Sequence, residues 1–376
     1  TVIKVENPRG DMVRKGGAVK NGTGTTFLGN NLGKFGVVLD VKAPADLERA
    51  KRLISIADVL IENFRSSEIM VRLGLGYDVL KELNPGLIYV SSSAYGRGGP
   101  LENMRSHEWL SEALSGFTSV TGAEGGAGEF ARGSANLDWN GAMLNAVALL
   151  AALVSRARGQ GGGYYMTSQF GASIYAGITR FAGVLAGGGE PGALGAGSLD
   201  IVPDDAFRTL DGYVAVSAPT ERCWRRLCDA LDLDALKDDP RFAANANRLK
   251  ARAELGALLA DVFARRSSAA WCELLLAADV PCAAVPREKT LLGWMKSHPQ
   301  IAANGLLSEV ESPYGVLASQ TPHWIFERTP ASIASGPPLL GEHTGLVFDN
   351  LADKAALIAA LETCGTPSHA AGMREA

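Results

Sequence analysis

The stretch "DVLIENFRSSEIMVRLGLGYDVLKELNPGLIYVSSS", residues 58 to 93, contains two apolar segments typical of strands, separated by two segments typical of helices. A serine that can cap a helix opens the first helical segment, and Asn84-Pro85-Gly86 ends the second one. Strands that alternate with helices in this way form neighbouring parallel strands. The stretch therefore predicts an α/β fold.

The same alternation continues upstream. VIKVE (2–6) and FGVVLDV (35–41) are apolar and short, as expected for buried strands. Residues 43–57 place Leu47, Ala50 and Leu53 at helical spacing. Strand, helix and strand in this order predict a Rossmann-like parallel sheet with right-handed crossovers.

The length and composition of the chain predict more than one domain. At 376 residues the chain is longer than one hydrophobic core usually serves. We expect a large Rossmann-like domain whose first part is 1–185, a glycine-rich linker or loop at 186–199, a small α+β domain at 200–285, and a return to the large domain at 286–376. Within the small domain, AFRTLDGYVAVSA (206–218) predicts a hairpin across Asp211-Gly212.

Composition excludes several classes of protein. Hydrophobic residues make up 47% of the chain and charged residues 20%, which is typical of a folded globular protein. The formal net charge of -4 provides no general basic field, so a nucleic acid is not an expected partner. A membrane is not expected as a partner either, because the long apolar segment 139–155 favours a buried core helix.

The cysteines predict a reducing compartment. Their odd number, five, and the lack of CxxC spacing argue against a disulfide framework or a zinc site, so we expect reduced, buried thiols, a cytoplasmic protein and no metal. The segment 139–155 is apolar enough to resemble a membrane span, but Asn140 and Asn145 within it favour a buried core helix.

Asp138 stands at the start of this apolar helix, and the next charged residue is Arg156. One interpretation is an N-terminal cap, since a carboxylate accepts hydrogen bonds from the first free N–H groups of a helix. The other interpretation is a carboxylate held ready for chemistry. The residues alone leave both open.

Seven segments together make the chain resemble the class III CoA-transferases, the family that includes formyl-CoA transferase, CaiB-type carnitine CoA-transferases and α-methylacyl-CoA racemase. They follow the family's order: VIKVENP (2–8), LDVKAP (39–44), ADVLIENFR (57–65), RLGLGYDVLKELNPGLIYVS (72–91), SEALSGFTSVTG (111–122), LLAALVSRARGQGGGY (149–164) and PLLGEHT (338–344). The resemblance implies a Rossmann-like large domain built from both chain ends, a smaller middle domain and an interlocked dimer.

The resemblance also implies an aspartate nucleophile at the position of Asp138. An aspartate can hold an acyl group as a mixed anhydride and then hold CoA as a thioester, which divides one difficult exchange into easier steps. We expect the helix N-terminus to lower the pKa of this carboxyl group.

His107 and Glu108 are the next candidate catalytic residues. Many transferases of the family have Tyr followed by an acid here, whereas the racemase branch has His-Asp. His107 therefore favours an alternative, an α-methylacyl-CoA racemase or epimerase with His107 and Asp138 as the two bases. The glutamate that the racemases place after the hairpin is Thr220 here, with Glu221 one residue further, which weakens this alternative.

The resemblance implies that coenzyme A is bound as the acyl-CoA substrate by a further set of residues. Cations would hold its phosphates, and backbone groups at strand ends would read its adenine. The matching positions are Leu39, Asp40, Val41, Lys42, Asn63, Phe64, Arg65, Arg72 and Arg105. Asn7 replaces an arginine of the family, and Arg9 could compensate for it.

Four functions remain as hypotheses. The first is a CoA-transferase that moves CoA from an acyl-CoA to a carboxylic acid, as a homodimer or a heterodimer with a homologous subunit. The second is the racemase, and the third is a non-catalytic subunit of a hetero-oligomeric CoA-transferase. A pyridine-nucleotide oxidoreductase is the weakest, since the glycine-dense segment 187–198 lacks GxGxxG after a first strand.

Overall fold

The structure is a computed structural model that describes residues 1–130, 136–286 and 290–365, and it is a mixed α/β fold. The strands are β1 Val2–Glu6, β2 Val19–Lys20, β3 Thr23–Gly24, β4 Lys34–Val38, β5 Val59–Glu62, β6 Ile88–Ser93, β7 Gly163–Ser168, β8 Asp204–Arg208, β9 Tyr213–Ser217, β10 Cys282–Ala284, β11 Leu307–Val310 and β12 Leu317–Gln320. The helices are α1 Thr25–Asn30, α2 Pro44–Ile56, α3 Ser67–Arg72, α4 Tyr77–Leu83, α5 Glu108–Leu114, α6 Asn136–Ser155, α7 Gln169–Ala176, α8 Ile178–Leu185, α9 Glu221–Ala230, α10 Asn245–Lys250, α11 Arg252–Phe263, α12 Ser268–Ala277, α13 Leu291–Ser297, α14 Pro299–Ala303, α15 Thr344–Asp349 and α16 Lys354–Gly365.

The chain divides into two compact units. Unit 1 contains Thr1–Met104, Met143–Thr167 and the described residues from Thr290 onward, and unit 2 contains Arg105–Ala142 and the described residues of Ser168–Lys289. Both chain ends therefore contribute to unit 1. The segment 200–285 lies wholly within unit 2. The domain boundaries expected from the sequence, the Rossmann-like arrangement and the interlocked dimer stay predictions.

The strands of unit 1 that the sequence predicts are present and parallel. β1 pairs with β4 in parallel, from Val2 opposite Lys34 to Glu6 opposite Val38. β5 pairs with β6 in parallel, and β7 follows on the other side of β6. The expected continuous sheet is not what the structure describes, because β1 and β5 belong to separate sheets. Residues of both strands line one large cavity.

The helices that connect these strands begin and end where the sequence predicts. Pro44 opens α2, where its missing N–H costs nothing. Ser66 caps α3 by accepting from the Glu68 N–H, and α4 ends at Asn84. The Asn84 side chain donates to the carbonyl groups of Ile54 and Ala57, which fixes the end of α4 against the end of α2.

Apolar side chains between the sheets and helices form the core of unit 1. Phe35 and Val37 of β4 pack with α2 and with the C-terminal helices, including the buried Leu357 and Leu361. Leu80 of α4 packs with Leu87 and with Tyr89 of β6 in a second cluster. Burial of these side chains supplies the main stabilising free energy of the unit.

Unit 2 contains the predicted hairpin. β8 and β9 are antiparallel and are joined by a turn in which the Thr209 N–H donates to the Gly212 carbonyl, so the hairpin across Asp211-Gly212 is confirmed. β10 adds a third strand beside β9. Trp224 and Leu227 of α9 pack against Val214, Leu255 and other buried residues to form the core of the unit.

The glycine-dense segment 187–198 lies within unit 2, and backbone hydrogen bonds hold it there. The Gly125 N–H donates to the Ala193 carbonyl, and the Gly195 N–H donates to the Gly122 carbonyl. The side chain of Arg252 donates to the Ser198 carbonyl. Its role as a linker or a lid stays a prediction.

The prediction that α6 is a buried core helix is wrong for the single chain. Leu149 and Leu153 pack with Ile88 and Val90 of β6, and Ala152 is buried there. Because α6 is apolar on every side, this contact covers one face only. The opposite face exposes Met143, Val147, Leu150 and Val154, each between 45% and 63% exposed. By length and composition, Leu137–Gln160 is the one helix among the described residues that could cross a membrane.

All five cysteines lie in described residues and are free thiols. The predicted burial is confirmed for Cys223 and Cys228, is partial for Cys272 and Cys282, and is wrong for Cys364, which is exposed. Burial raises the pKa of Cys228 to about 12. A thiol held in its neutral form at physiological pH reacts slowly, so Cys228 serves packing.

Candidate active site

Glu108 caps α6 from the neighbouring helix α5. Its side chain is buried, and Oε1 accepts from the backbone N–H of Leu137 at 2.8 Å and from that of Asp138 at 3.4 Å. These are among the N–H groups that a helix leaves without partners at its start. Glu108 therefore performs the capping that one interpretation gave to Asp138.

The Asp138 carboxylate has a different partner. Its Oδ1 accepts a hydrogen bond from Nε2 of Gln169, the first residue of α7. The opposite atom of the same amide, Oε1, accepts from the Ser111 hydroxyl at 2.9 Å, which orients the amide with its nitrogen toward Asp138. Gln169 is not among the residues predicted from the sequence, where its signal is a polar residue directly after the Ser168 cap of an otherwise apolar helix.

The pKa of Asp138 is raised, which is the opposite of what the sequence predicted. Desolvation by surrounding protein atoms is the largest cause, although solvent still reaches the side chain, and the negative charge of Glu108 is the second. The hydrogen bond from Gln169 and the nearby His107 both lower the pKa, but they do not offset the first two effects.

His107 immediately precedes α5 and lies in the electrostatic range of Asp138. Its ring is exposed, and its centroid lies 4.9 Å from that of Trp109. Unit 2 thus brings together the three predicted catalytic residues, His107, Glu108 and Asp138. Asp138 lies 30 residues after Glu108 in the chain. Arg105 is exposed in the same unit.

The positions that could supply the racemase glutamate are engaged elsewhere. The Thr220 hydroxyl caps α9 by accepting from the Cys223 N–H at 3.1 Å. Glu221 accepts from the Asn245 N–H at 2.7 Å through one oxygen and from the buried Arg248 at 2.8 Å through the other. Neither side chain is therefore available as a partner for His107.

Six of the nine residues predicted to bind CoA line a single cavity in unit 1, with a volume of about 1110 Å³. They follow the carboxyl ends of β4 and β5, where open α/β sheets bind ligands. These residues are Leu39, Asp40, Val41, Lys42, Asn63 and Phe64. Arg65 and Arg72 belong to the same unit, but they are not among the residues that line the cavity.

The cavity wall carries cations suited to an anionic ligand. Among the described residues, Arg9, Lys15 and Lys42 line the cavity and form no ion pair. Asn7, at the position where the resemblance implies an arginine, also lines it. A ligand with phosphates would find both these cations and apolar side chains such as Leu39 in the lining of the cavity.

The acids of the cavity differ in how they are held. Glu6 forms a two-point pair with the buried Arg14, with both distances at 2.7 Å. Glu62 accepts from the Phe64 N–H at 2.8 Å through one oxygen, and burial raises its pKa. Across 1–130, 136–286 and 290–365, no group of three or more His, Cys, Asp or Glu side chains could hold a metal ion.

Comparisons with known proteins agree on one family. CoA-transferase family III matches residues 1–344 of the chain. The human protein named succinyl-CoA:glutarate CoA-transferase is 31% identical over 347 residues, which cover 91% of this chain and 78% of that protein. The acetyl-CoA:oxalate CoA-transferase of Acetobacter aceti is 30% identical over 280 residues, covering 74% and 72% respectively.

Solved structures show the same likeness. The crystal structure of a CAIB/BAIF family protein from Brucella suis superposes with a TM-score of 0.80 at 27% identity, covering 93% of this chain and 91% of that one. A Mycobacterium tuberculosis crystal structure superposes with a TM-score of 0.79 at 29% identity, covering 92% and 90%.

Proposed function

Because the chain belongs to CoA-transferase family III, we propose that it moves CoA from an acyl-CoA thioester to a carboxylic acid through covalent intermediates on Asp138. The observation that carries this proposal is that Glu108, and not Asp138, accepts the hydrogen bonds at the start of α6. Glu108 caps the helix, so the Asp138 carboxylate is not consumed by a structural role.

The proposed reaction has four steps. In the first step, Oδ2 of Asp138 attacks the thioester carbonyl carbon. The C–S bond breaks, CoA leaves as a thiolate, and a mixed anhydride forms between Asp138 and the donor acyl group. The thiolate then attacks the Asp138 carbonyl carbon, which releases the donor acid and forms an aspartyl-CoA thioester. The acceptor carboxylate attacks this thioester, and the departing thiolate finally takes the acceptor acyl group from the second anhydride. This last step regenerates the free carboxylate of Asp138.

We assign CoA to the cavity of unit 1. Arg9, Lys15 and Lys42 would hold its phosphates, and Leu39, Val41, Asn63 and Phe64 would contact its nucleotide through backbone and apolar surfaces. Asp40 lines the same wall and accepts from the Lys42 N–H, which fixes that turn. Arg65, Arg72 and Arg105 remain further proposed CoA contacts, on the strength of the resemblance alone.

We further propose that a second, homologous subunit covers the exposed face of α6, and that the protein works in the cytoplasm. Met143, Val147, Leu150 and Val154 recur at intervals of four, three and four residues, the spacing at which one helix packs along another. A continuous exposed apolar stripe of this kind marks an interaction surface. The mass of the protein in solution tests the assembly.

A racemase or epimerase is the second candidate, because His107 lies within electrostatic range of Asp138. The engagement of Glu221 with Arg248 and Asn245 argues against it. A racemase would exchange the α-proton of an acyl-CoA with deuterium from solvent without any acceptor acid.

Trapping of the intermediate tests the transferase proposal. The protein is incubated with an acyl-CoA and then treated with hydroxylamine or borohydride, and the peptide that contains Asp138 is weighed. We expect a hydroxamate or an alcohol at Asp138. Succinyl-CoA with glutarate or oxalate, and acetyl-CoA with the same acids, form the first panel of donors and acceptors.

The variant Asp138→Asn should lose at least about 1000-fold of the transfer rate, because its amide cannot form either intermediate. It should still fold, since Glu108 continues to cap α6 and the amide oxygen can accept from Gln169. Asp261→Asn, an exposed acid of the same unit, is the matched control and should transfer normally. An Asp138→Asn protein with full activity would exclude the mechanism. Inactivity of the wild-type chain in every assay would favour the non-catalytic subunit.

A further inference from the structure

Gln169 contacts one atom of the proposed nucleophile, and the structure fixes which of its two amide atoms does so. Nε2 donates to Oδ1 of Asp138, while Oε1 accepts from Ser111 Oγ at 2.9 Å. Ser111 is fully buried, and its hydroxyl also lies 3.3 Å from that of Ser106. A flipped amide would place its oxygen against a carboxylate oxygen, and two acceptors repel each other, so the observed orientation is strongly preferred.

Two serine side chains fix the position of Gln169 at the start of α7. The Ser168 hydroxyl caps α7 by accepting from the Gly171 N–H at 3.0 Å. The Ser173 hydroxyl donates to the Gln169 carbonyl at 2.8 Å, one turn further along the helix. The donor nitrogen therefore approaches Asp138 from a backbone that is already fixed before any substrate binds, which is the condition for electrostatic preorganisation.

The chemistry of the aspartyl intermediates gives this contact a specific consequence. If Oδ1 is held by Gln169, then Oδ2 is the oxygen that attacks the substrate and becomes the bridging atom of the anhydride. Oδ1 remains as the carbonyl oxygen of the aspartyl group. When CoA thiolate or the acceptor carboxylate later attacks the Asp138 carbonyl carbon, the electron pair of that carbonyl bond moves onto Oδ1. The new negative charge forms on the atom that faces Nε2.

We infer that Gln169 is a catalytic residue that stabilises the oxyanion formed on Oδ1 when the aspartyl carbonyl carbon is attacked. This inference rests on the proposed function of Asp138. Gln169 serves the two steps at the aspartyl carbon, and it leaves the two steps at the substrate acyl carbon to other donors. When the tetrahedral intermediate collapses, the electron pair returns to the carbonyl bond and the carboxylate or thiolate leaves.

The experiment follows the aspartyl-CoA thioester directly. Wild type and Gln169→Leu are incubated with an acyl-CoA, the acceptor acid is added in a rapid-quench instrument, and the CoA adduct is followed by intact-protein mass. We expect the adduct of Gln169→Leu both to form and to decay at least about 100-fold more slowly than that of wild type, the usual effect of removing one oxyanion donor, so the first incubation is continued until the adduct has accumulated. Ser111→Ala keeps the donor but frees the amide to turn, so a smaller loss of about tenfold is expected.

Two further variants separate catalysis from structure. Gln300→Leu, the same change at an exposed position, should leave the decay rate unchanged. Gln169→Glu cannot donate when ionised but can donate when protonated, so its decay rate should rise relative to Gln169→Leu as the pH falls. A role limited to folding would lower thermal stability in both position-169 variants without this dependence on pH.

The outcomes separate this inference from the proposed function. Wild-type adduct together with normal decay in Gln169→Leu would overturn the inference and leave the function of Asp138 intact. Absence of any adduct in wild type, under donors that the chain turns over, would overturn both. Slow decay in Gln169→Leu together with normal decay in Gln300→Leu supports the inference.

Discussion

Two carboxylates in this protein, Glu6 at the end of β1 and Asp138 at the start of α6, are the same chemical group held in opposite ways. Glu6 receives two hydrogen bonds from Arg14 and one from the Asp11 N–H. Among the described residues, Asp138 accepts a hydrogen bond from Gln169, and it faces the like charge of Glu108.

The pKa values of the two groups follow from these partners. Burial alone would raise the pKa of Glu6, but the bonds from Arg14 and Asp11 more than offset it, and its pKa is lowered. Burial and Glu108 raise the pKa of Asp138. A carboxylate surrounded by hydrogen-bond donors stabilises the fold, whereas a carboxylate with fewer donors has an oxygen that can attack a substrate.

Removal of Arg14 should give the largest change in stability. The guanidinium carbon of Arg14 also lies 3.6 Å from the centroid of the Phe27 ring, and its Nη1 donates to the Tyr314 hydroxyl at 3.0 Å. Arg14→Met would leave Glu6 as a buried charge without its hydrogen-bonded counter-ion, so we expect the free energy of unfolding to fall by about 3 to 5 kcal/mol at neutral pH. Urea denaturation measures it.

The matched control for that change is Arg225→Met, which removes an exposed partner of Asp238 and should cost less than about 1 kcal/mol. The difference should shrink in acid, because the lowered pKa of Glu6 means that its stabilisation is lost as the pH falls through the folded-state value. Equal losses in the two variants would break the distinction between engaged and exposed acids.

Glu108→Ala should have an intermediate effect. It leaves the N–H groups of Leu137 and Asp138 without an acceptor, which we expect to cost about 1 to 2 kcal/mol of unfolding free energy. It also removes the negative charge that raises the pKa of Asp138, so the acid limb of the transfer rate should move to lower pH.

Glu108→Gln sharpens this test, because its amide oxygen can still cap α6 while its charge is gone. We expect it to recover the stability but to keep the shifted pH profile. A profile identical to that of wild type in both variants would show that Glu108 does not act on Asp138.

The smallest expected effect is on the stability of Asp138→Asn. A raised folded-state pKa means that the folded protein holds its proton more tightly than the unfolded chain does, so wild-type stability falls as the pH rises from the unfolded value through the folded one. The variant should therefore match wild type in acid and exceed it at neutral pH by less than about 1 kcal/mol, since solvent reaches the side chain. Thermal unfolding at two pH values measures the difference, and a variant less stable at neutral pH would contradict the raised pKa.

Much of the fold was predictable from local patterns. The strands at Val2–Glu6, Val59–Glu62 and Ile88–Ser93, the Ser66 cap and the hairpin at Asp211-Gly212 are where the sequence predicts them. Burial of α6 was not predictable in the same way, because an apolar helix reads alike whether its outer face meets protein, a partner or solvent. The separation of β1 from β5 into two sheets was equally invisible, since alternation of strands does not state which edges pair.

The sequence by itself determined the order and kind of the elements, the family and the set of candidate acids. These depend on residue spacing along the chain, where apolar residues recur at the periods of a helix or a strand. Only the tertiary structure decided what each acid does, because the partners of Asp138 lie about thirty residues before and after it in the chain. The pKa of a carboxyl group and the availability of its oxygens depend on which groups lie near it in space, and residue spacing along the chain does not specify those neighbours.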